Sequence, residues 1–354
     1  KTISARVPKP QSYRVAAIVI CHMFPVFFYL LRSNSNELGE HARRHLHSRS
    51  ASPILFTRTE IMDNTSRKLR DLFLVDQPDT GLSLNNRAQI LVGDARSILE
   101  GFPEGHFQCI VTSPPYWGLR DYGIDGQIGA ELLVEDYIAD LVALFREARR
   151  TLADDGTLWL NIGDSYTSGG RTWRASDAKN KGRAMSYRAP TPEGLKPKDL
   201  IGVPWRLAFA LQADGWYLRT EIVWNKPNCQ PESVKDRPTR SHEYVFLLSK
   251  SKRYYYDWEA VKEPASDPKK PLKNRRTVWN INTEPFPERH FAVYPRALVR
   301  VCVAAGSRPN DRVLDPFFGS GTTGVVCNEM DRDCVGIELS EECPSSGNLR
   351  LQAA

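Results

Sequence analysis

Asp315-Pro316-Phe317-Phe318-Gly319-Ser320-Gly321-Thr322-Thr323-Gly324 follows the apolar pair Val313-Leu314, and its reading decides the fold. A buried strand ends in an acid, turns on glycines, and continues as a helix over Gly324 to Met330. Glycine lets the backbone approach a ligand closely, and Glu338, one strand–helix unit later, can take ribose hydroxyls. The spacing Gly319-x-Gly321-x-x-Gly324 fits a dinucleotide site. Its position in the chain argues otherwise. A two-halved dinucleotide fold needs several more strand–helix units, and only about sixteen residues follow Glu338. The rest of the sheet must come from earlier in the chain. A single-nucleoside cofactor in a permuted sheet is the better match.

A second stretch, Thr112-Ser113-Pro114-Pro115-Tyr116, ends the apolar run Cys109-Ile110-Val111. In open α/β sheets, ligands bind at the carboxyl ends of strands. Consecutive prolines fix φ and remove two backbone donors. The carbonyls of Ser113 and Pro114 are then open to external donors, Ser113 adds a hydroxyl, and Tyr116 adds a flat face. A planar base with an exocyclic amino group needs those features. The same residues alone would also suit a strand-ending turn with an aromatic plug. The glycine turn elsewhere tips the reading toward a site.

Between the two stretches strand and helix alternate. Gln89 to Asp94 reads as a short strand, Ser97 to Phe102 as a brief helix and Phe107 to Thr112 as a second strand. Val134 to Leu152 carries Ile138, Leu141, Val142, Phe145 and Ala148 at helical spacing. Asp155-Gly156 turns into a third strand, Thr157 to Ile162, and Leu200 to Ala213 forms a helix. Tyr217 to Trp224 and Tyr244 to Leu248 are strands of an antiparallel edge, and Pro295 to Ala305 is a helix. This order predicts an α/β fold, a mostly parallel sheet with helices on both faces.

Of 354 residues, 41% are hydrophobic and 25% charged, which supports a buried core. The formal net charge of +6 suits a polyanionic partner without requiring one. None of the seven cysteines forms a Cys-x-x-Cys pair, so reduced thiols of a cytoplasmic protein are expected, with no metal site. Val15 to Leu31 is apolar but interrupted by His22 and Pro25, a marginal match to the ~20 apolar residues of a spanning helix. No stable membrane association is expected. Met62 opens a stretch that reads as a natural start, so residues 1–61 read as an extension and 62–85 as a lead-in to a domain over 86–342. Residues 343–354 read as an irregular, truncated tail, since Pro344 and Gly347 oppose the helix that should cover the sheet.

The two stretches together resemble the amino-group DNA methyltransferases that use S-adenosylmethionine, in the permuted (beta) order. There a Ser/Asp/Asn-Pro-Pro-Tyr/Phe motif precedes the glycine motif. The likeness runs from about Ile90 to Ser340 and includes His290 to Pro295 and Asp236 to Tyr244. It implies a Rossmann-like methyltransferase fold with a circularly permuted motif order and an antiparallel edge strand. It implies catalysis by Ser113, Pro114, Pro115 and Tyr116, with Tyr116 stacked on an extruded base and Trp117 lining the same pocket. Cofactor contacts fall to Gly319, Gly321 and Thr322, with Asp315 and Phe318 flanking the turn, Glu338 on the ribose, Asp94 near the adenine and His290 beside the methionine part. Serine at the first motif position favours cytosine N4 over adenine N6. The alternatives are an adenine-N6 enzyme, an RNA or protein amide methyltransferase, and a non-catalytic DNA-binding remnant.

Double-stranded DNA is the expected partner, and a cognate restriction endonuclease is a further candidate. The long polar loop 165–199 holds Arg171, Arg174, Lys179, Lys181, Arg183 and Arg188, with Trp173 and Tyr187 interleaved. A candidate recognition insertion, 227–278, adds Lys269, Lys270, Arg275 and Arg276. Such residues supply phosphate contacts, although charge runs also occur as plain solvated loops.

Overall fold

The apolar run Phe107–Thr112 (β2) lies near the centre of an eight-stranded sheet. The computed structural model describes residues 87–168, 173, 189–284 and 294–340. The expectations for residues 1–61, 62–85 and 343–354 lie outside the described residues, as does most of the loop 165–199. The other strands of this sheet are β1 (Ala88–Val92), β3 (Leu152–Ile162), β4 (Tyr217–Asn225), β5 (His242–Ser249), β8 (Val278–Asn280), β9 (Arg312–Asp315) and β10 (Asp333–Glu338). Their order is β1-β10-β9-β2-β3-β5-β4-β8. A two-stranded ribbon joins β6 (Glu263–Pro264) and β7 (Leu272–Lys273). No helix among the described residues is long and apolar enough to cross a membrane.

Both faces of the sheet are covered, which is why its strands read as continuous apolar runs. Helices α1 (Ala95–Glu100), α2 (Val134–Thr151) and α3 (Val203–Ala213) share one core with Ile110, Leu158 and Leu160. Helices α4 (Arg296–Gly306) and α5 (Thr322–Glu329) share the other with Cys109, Val111 and Trp159. Successive residues of β2 and β3 thus serve opposite cores, as strand geometry requires.

The departures from expectation are local and have causes. Helix α1 starts two residues early because the Asp94 carboxylate caps it, accepting from the Ser97 N–H at 2.9 Å. Helix α3 starts late, at Val203, where the Asp164 carboxylate accepts the N–H groups of Gly202 and Val203 and Pro204 occupies the first turn. The turn expected at Asp155-Gly156 is an irregularity inside β3, with a register shift opposite Phe107 to Cys109. The reversed strand is β5, antiparallel to both β3 and β4. It lies inside the sheet rather than at its rim, because β4 and then β8, parallel to β4, continue beyond it.

Candidate active site

Strands β2 and β9 are parallel neighbours, pairing Cys109 with Val313 and Ile110 with Leu314. Their carboxyl ends therefore leave the sheet side by side. The two turns are joined directly, because Thr112 Oγ1 donates to Asp315 Oδ1 at 2.7 Å. Asp315 is fully buried. Its other oxygen accepts from the hydroxyls of Tyr294 (2.8 Å) and Thr323, and the Phe317 N–H reaches Oδ1 at 3.1 Å. Burial pushes the Asp315 carboxyl up, and the hydroxyl and backbone donors pull it back. With these partners Asp315, the side chain expected to flank the glycine turn, clasps the two turns together.

Gly319 and Gly321 hold φ of 52° and 78°, left-handed values that glycine takes without cost. A Cβ at Gly319 would meet no atom nearer than the Phe317 carbonyl at 4.0 Å, so the turn presents bare backbone to open space. Helix α5 begins at Thr322 with Gly321 as an N-cap that offers no side chain. Glu338, at the end of β10, accepts the N–H of Gly319 (2.8 Å) and of Ser340 (3.0 Å). The Phe318 ring is buried and lies on Gly336, where a Cβ would come within 2.2 Å of it. It props the turn from beneath. Asp94 is exposed, and its capping bond to Ser97 accounts for one of its oxygens. The Gly93 N–H donates to the Glu338 carbonyl at 2.9 Å, so Asp94 stands next to the glutamate. A cavity of about 420 Å³ opens there, lined by Asp94, Arg96, Gln127, Ile128, Glu131 and Leu144 among others.

In the proline turn, Pro114 is buried and the Pro115 carbonyl accepts the Tyr137 hydroxyl at 2.8 Å. Among the described residues no donor reaches the carbonyl of Ser113 or Pro114. The Tyr116 hydroxyl donates to Glu243 Oε2 at 2.9 Å, and Glu243 is ion-paired with Lys226. Asn161 donates to the Tyr244 carbonyl at 3.1 Å beside them. Gly163 leaves room for the ring, since a Cβ there would sit 2.6 Å from Tyr116 Cε2. Burial first, and the Glu243 charge second, push the Tyr116 phenol well above its usual range. Trp117 does not line this pocket. Its side chain is buried in the α1–α2–α3 core and its Nε1 donates to the Glu131 carbonyl at 2.9 Å.

Sequence reasoning gave no role to Tyr294 and Thr323 on the glycine side, or to Thr112, Asn161, Lys226 and Glu243 on the proline side. Thr112, Thr323, Tyr294 and Glu243 stood in stretches already singled out, but without roles. His290 and the basic residues Arg171, Arg174, Lys179, Lys181, Arg183 and Arg188 lie outside the described residues. Lys269 and Lys270 are exposed between β6 and β7. Arg275 and Arg276 also have local partners. Arg275 donates to the Val261 carbonyl at 2.9 Å and lies over the Trp279 ring, and Arg276 pairs with Glu263 at 2.7 Å. Both precede β8 and enter it at the end away from Asn280, which pairs with the last residue of β4.

Residues 107–346 match the family model N6_N4_Mtase, described as DNA methylase. The chain belongs to this DNA methylase family. It is 74% identical over 282 residues to the type II methyltransferase M.SmaI of Serratia marcescens, covering 79% of this chain and 97% of that one. It is 62% identical over 267 residues to M.Cfr9I of Citrobacter freundii, covering 75% and 88%. Among solved structures, the PvuII DNA methyltransferase (cytosine-N4-specific) shares the fold at a TM-score of 0.56 and 20% identity, covering 74% of this chain and 86% of that one. A putative DNA modification methylase from Thermus thermophilus, complexed with S-adenosyl-L-methionine, matches at 0.51 and 25% identity, covering 75% and 93%. This DNA methylase is thus a DNA methyltransferase of the amino-group class, and DNA is its substrate. Its sheet is the methyltransferase sheet, with the glycine motif late in the chain.

Proposed function

We propose that this methyltransferase transfers a methyl group from S-adenosylmethionine to the exocyclic amino group of a base extruded from duplex DNA at a specific site, with cytosine N4 as the acceptor. The observation that carries the reading is the Thr112–Asp315 hydrogen bond, which brings the amine-accepting turn and the glycine turn to one sheet edge. The residues fit the cofactor. Bare backbone at Gly319 and Gly321, the uncapped start of α5 and the Glu338 carboxylate suit an amino-acid moiety and a ribose, and the cavity beside Asp94 has acceptors and apolar walls suited to an adenine. When bound, S-adenosylmethionine supplies an electrophilic sulfonium methyl.

An aromatic amine is a poor nucleophile because its lone pair is delocalised into the ring. The Ser113 hydroxyl and the Pro114 carbonyl accept its two N–H bonds, favour a pyramidal nitrogen and aim its lone pair. Tyr116 stacks on the ring. Holding the acceptor in line removes much of the entropic barrier, up to ~7–11 kcal/mol in favourable cases. Extruding the base costs a few kcal/mol, and Arg171, Arg174, Lys179, Lys181, Arg183, Arg188, Lys269 and Lys270 supply phosphate contacts. Serine at position 113 supports cytosine. The designation of the relatives as type II methyltransferases supports a role beside a restriction endonuclease.

The test is to methylate plasmid DNA with the protein and S-adenosylmethionine, then sequence the modified bases. N4-methylcytosine at one recurrent sequence is expected. N6-methyladenine would overturn the base assignment, and no S-adenosylmethionine binding by calorimetry would overturn the donor. Ser113→Ala should abolish transfer while leaving DNA affinity largely intact.

A further inference from the structure

Strand β5 runs against its neighbours, so its first residues lie where β3 and β4 end. His242 pairs with Asn225, the last residue of β4, and Tyr244 with Ile162, the last of β3. Strand β3 in turn adjoins β2, whose end carries the proline turn. The reversal therefore brings the residues just before β5 to the edge that holds that turn.

Arg240 is one of them. Only 16% of its side chain is exposed. Its Nε donates to the His242 carbonyl at 3.4 Å, and its Nη1 lies 4.0 Å from the Asp164 carboxylate, beyond hydrogen-bonding reach. Asp164 is itself committed, accepting the N–H groups of Ser165 (2.9 Å), Gly202 (3.0 Å) and Val203 (3.0 Å). Among the described residues, no acceptor comes within hydrogen-bonding distance of either terminal nitrogen of Arg240. The other cations nearby are placed differently. Arg237 bonds Glu232 at 2.6 Å and covers the Tyr166 ring, Lys198 pairs with Asp236 at 2.7 Å, Lys226 pairs with Glu243, and Lys235 is exposed to water. Arg240 is thus a recessed guanidinium whose fork is held in direction and left unfilled.

It also lies close to the proline turn. Asp164 follows Gly163, and a Cβ on Gly163 would sit 2.6 Å from Tyr116 Cε2 and 3.3 Å from Glu243 Cγ. The carboxylate that Arg240 faces is one residue along the chain from a backbone in contact with the Tyr116 ring. A base pair in the duplex shows its edge only in a groove, out of reach of a recessed side chain. An extruded nucleotide enters the pocket and draws its own phosphate to the rim. A planar guanidinium fork matches two phosphate oxygens.

We propose that Arg240 binds a phosphate flanking the extruded nucleotide, holding the backbone at the pocket rim while the base lies against Tyr116. This role rests on the extruded-base reading above.

The test uses a duplex carrying the sequence found methylated in plasmid DNA, with a neutral methylphosphonate replacing the phosphate on one or the other side of the target base. Arg240→Ala should weaken binding of the unmodified duplex on the order of 10-fold and lower the slope of log K against log salt by about 1. Its S-adenosylmethionine affinity should stay at the wild-type value in calorimetry. One of the neutral linkages should weaken wild-type binding to the same degree and should cost Arg240→Ala nothing further. Arg240→Lys keeps the charge without the fork, so it should restore the salt slope and only part of the affinity. Wild-type affinity in Arg240→Ala, neutral linkages that leave wild-type binding intact, or losses that add would each overturn the proposal. So would a loss in Arg240→Ala that disappears when a guanine of the site is replaced by a deaza analogue lacking the N7 acceptor, since Arg240 would then read a base edge. The methylphosphonate measurement on wild-type protein stands on its own if a variant folds poorly. A fluorescent base analogue at the target position reports extrusion separately. No change in its emission on adding wild-type protein would overturn the extruded-base reading, so the two failures are distinct.

Discussion

In the Ser113–Tyr116 turn two prolines restrict the backbone from within, whereas the Gly319–Gly324 turn owes its shape to its neighbours. The proline turn borrows one bond from Tyr137 and one from Glu243. The glycine turn is held at Asp315, at Glu338 and by Phe318 lying on Gly336. In the proposed reaction one turn grips a rigid nucleobase with carbonyls and a ring, and the other brings bare backbone, free of side chains, close to a polar ligand, which requires glycine. A turn of glycines has no stiffness of its own, so its precision is distributed over β9 and β10. Damage should therefore spread differently from the two.

Asp315→Ala removes the bond that joins the two turns and should have the largest effect. It leaves buried donors on Thr112, Tyr294, Thr323 and Phe317 without their acceptor. The expected loss is about 3 kcal/mol or more, a drop in Tm on the order of 10 °C, with methyl transfer and cofactor binding lost together. Retention of either function in calorimetry and methylation assays would mean that the turns do not depend on a shared clasp.

Gly336→Ala separates them. Its Cβ would strike the Phe318 ring, displacing the support of the glycine turn alone. The expected cost is about 1–3 kcal/mol, with weaker S-adenosylmethionine binding and a near-normal kcat at saturating cofactor. Gly163→Ala is the converse. Its Cβ would press on the Tyr116 ring. Methyl transfer should fall by up to about 100-fold, while cofactor affinity measured by calorimetry stays at the wild-type value.

The smallest effect concerns neither turn. Burial, and then the Arg312 guanidinium, depress His106 from 6.5 to about 4. Between those values the unfolded chain binds the proton and the folded chain does not. The resulting stability is full above pH 6.5 and is lost as pH falls toward 4. The slope should be modest, on the order of 1 kcal/mol after solvent screening. His106→Phe should flatten it in denaturant titrations across that range, without changing either turn at neutral pH.

The asymmetry also explains what could be read in the chain. Strands β2 and β9 and the turns after them were legible because a strand buried on both faces is a continuous apolar run. The amphipathic α2 was legible from its spacing. Strand β8 was not: three residues, with Trp279 alone buried, carry no periodic signal. Asp94 was read as a cofactor acid, and the structure uses it also to start α1. Arg275 and Arg276 read as phosphate ligands because charge alone does not show a nearby carbonyl or Glu263. Glu243 and Lys226 were hidden for a related reason. Their meaning lies in contacts made across the sheet, Glu243 with Tyr116 and Lys226 with Glu243, and nothing local in Asn225 to Tyr244 encodes them.

The Thr112–Asp315 bond spans 203 residues of chain. Contacts so distant in sequence form late, after the loop between them has closed, and during synthesis a domain completes only as its last strands emerge. Strand β9 must slot between β2 and β10, and β10 is the last strand described. A ribosome-bound chain that has made the proline turn therefore has no partner for it. Translation itself delays the enzyme's first turnover until β9 and β10 have emerged.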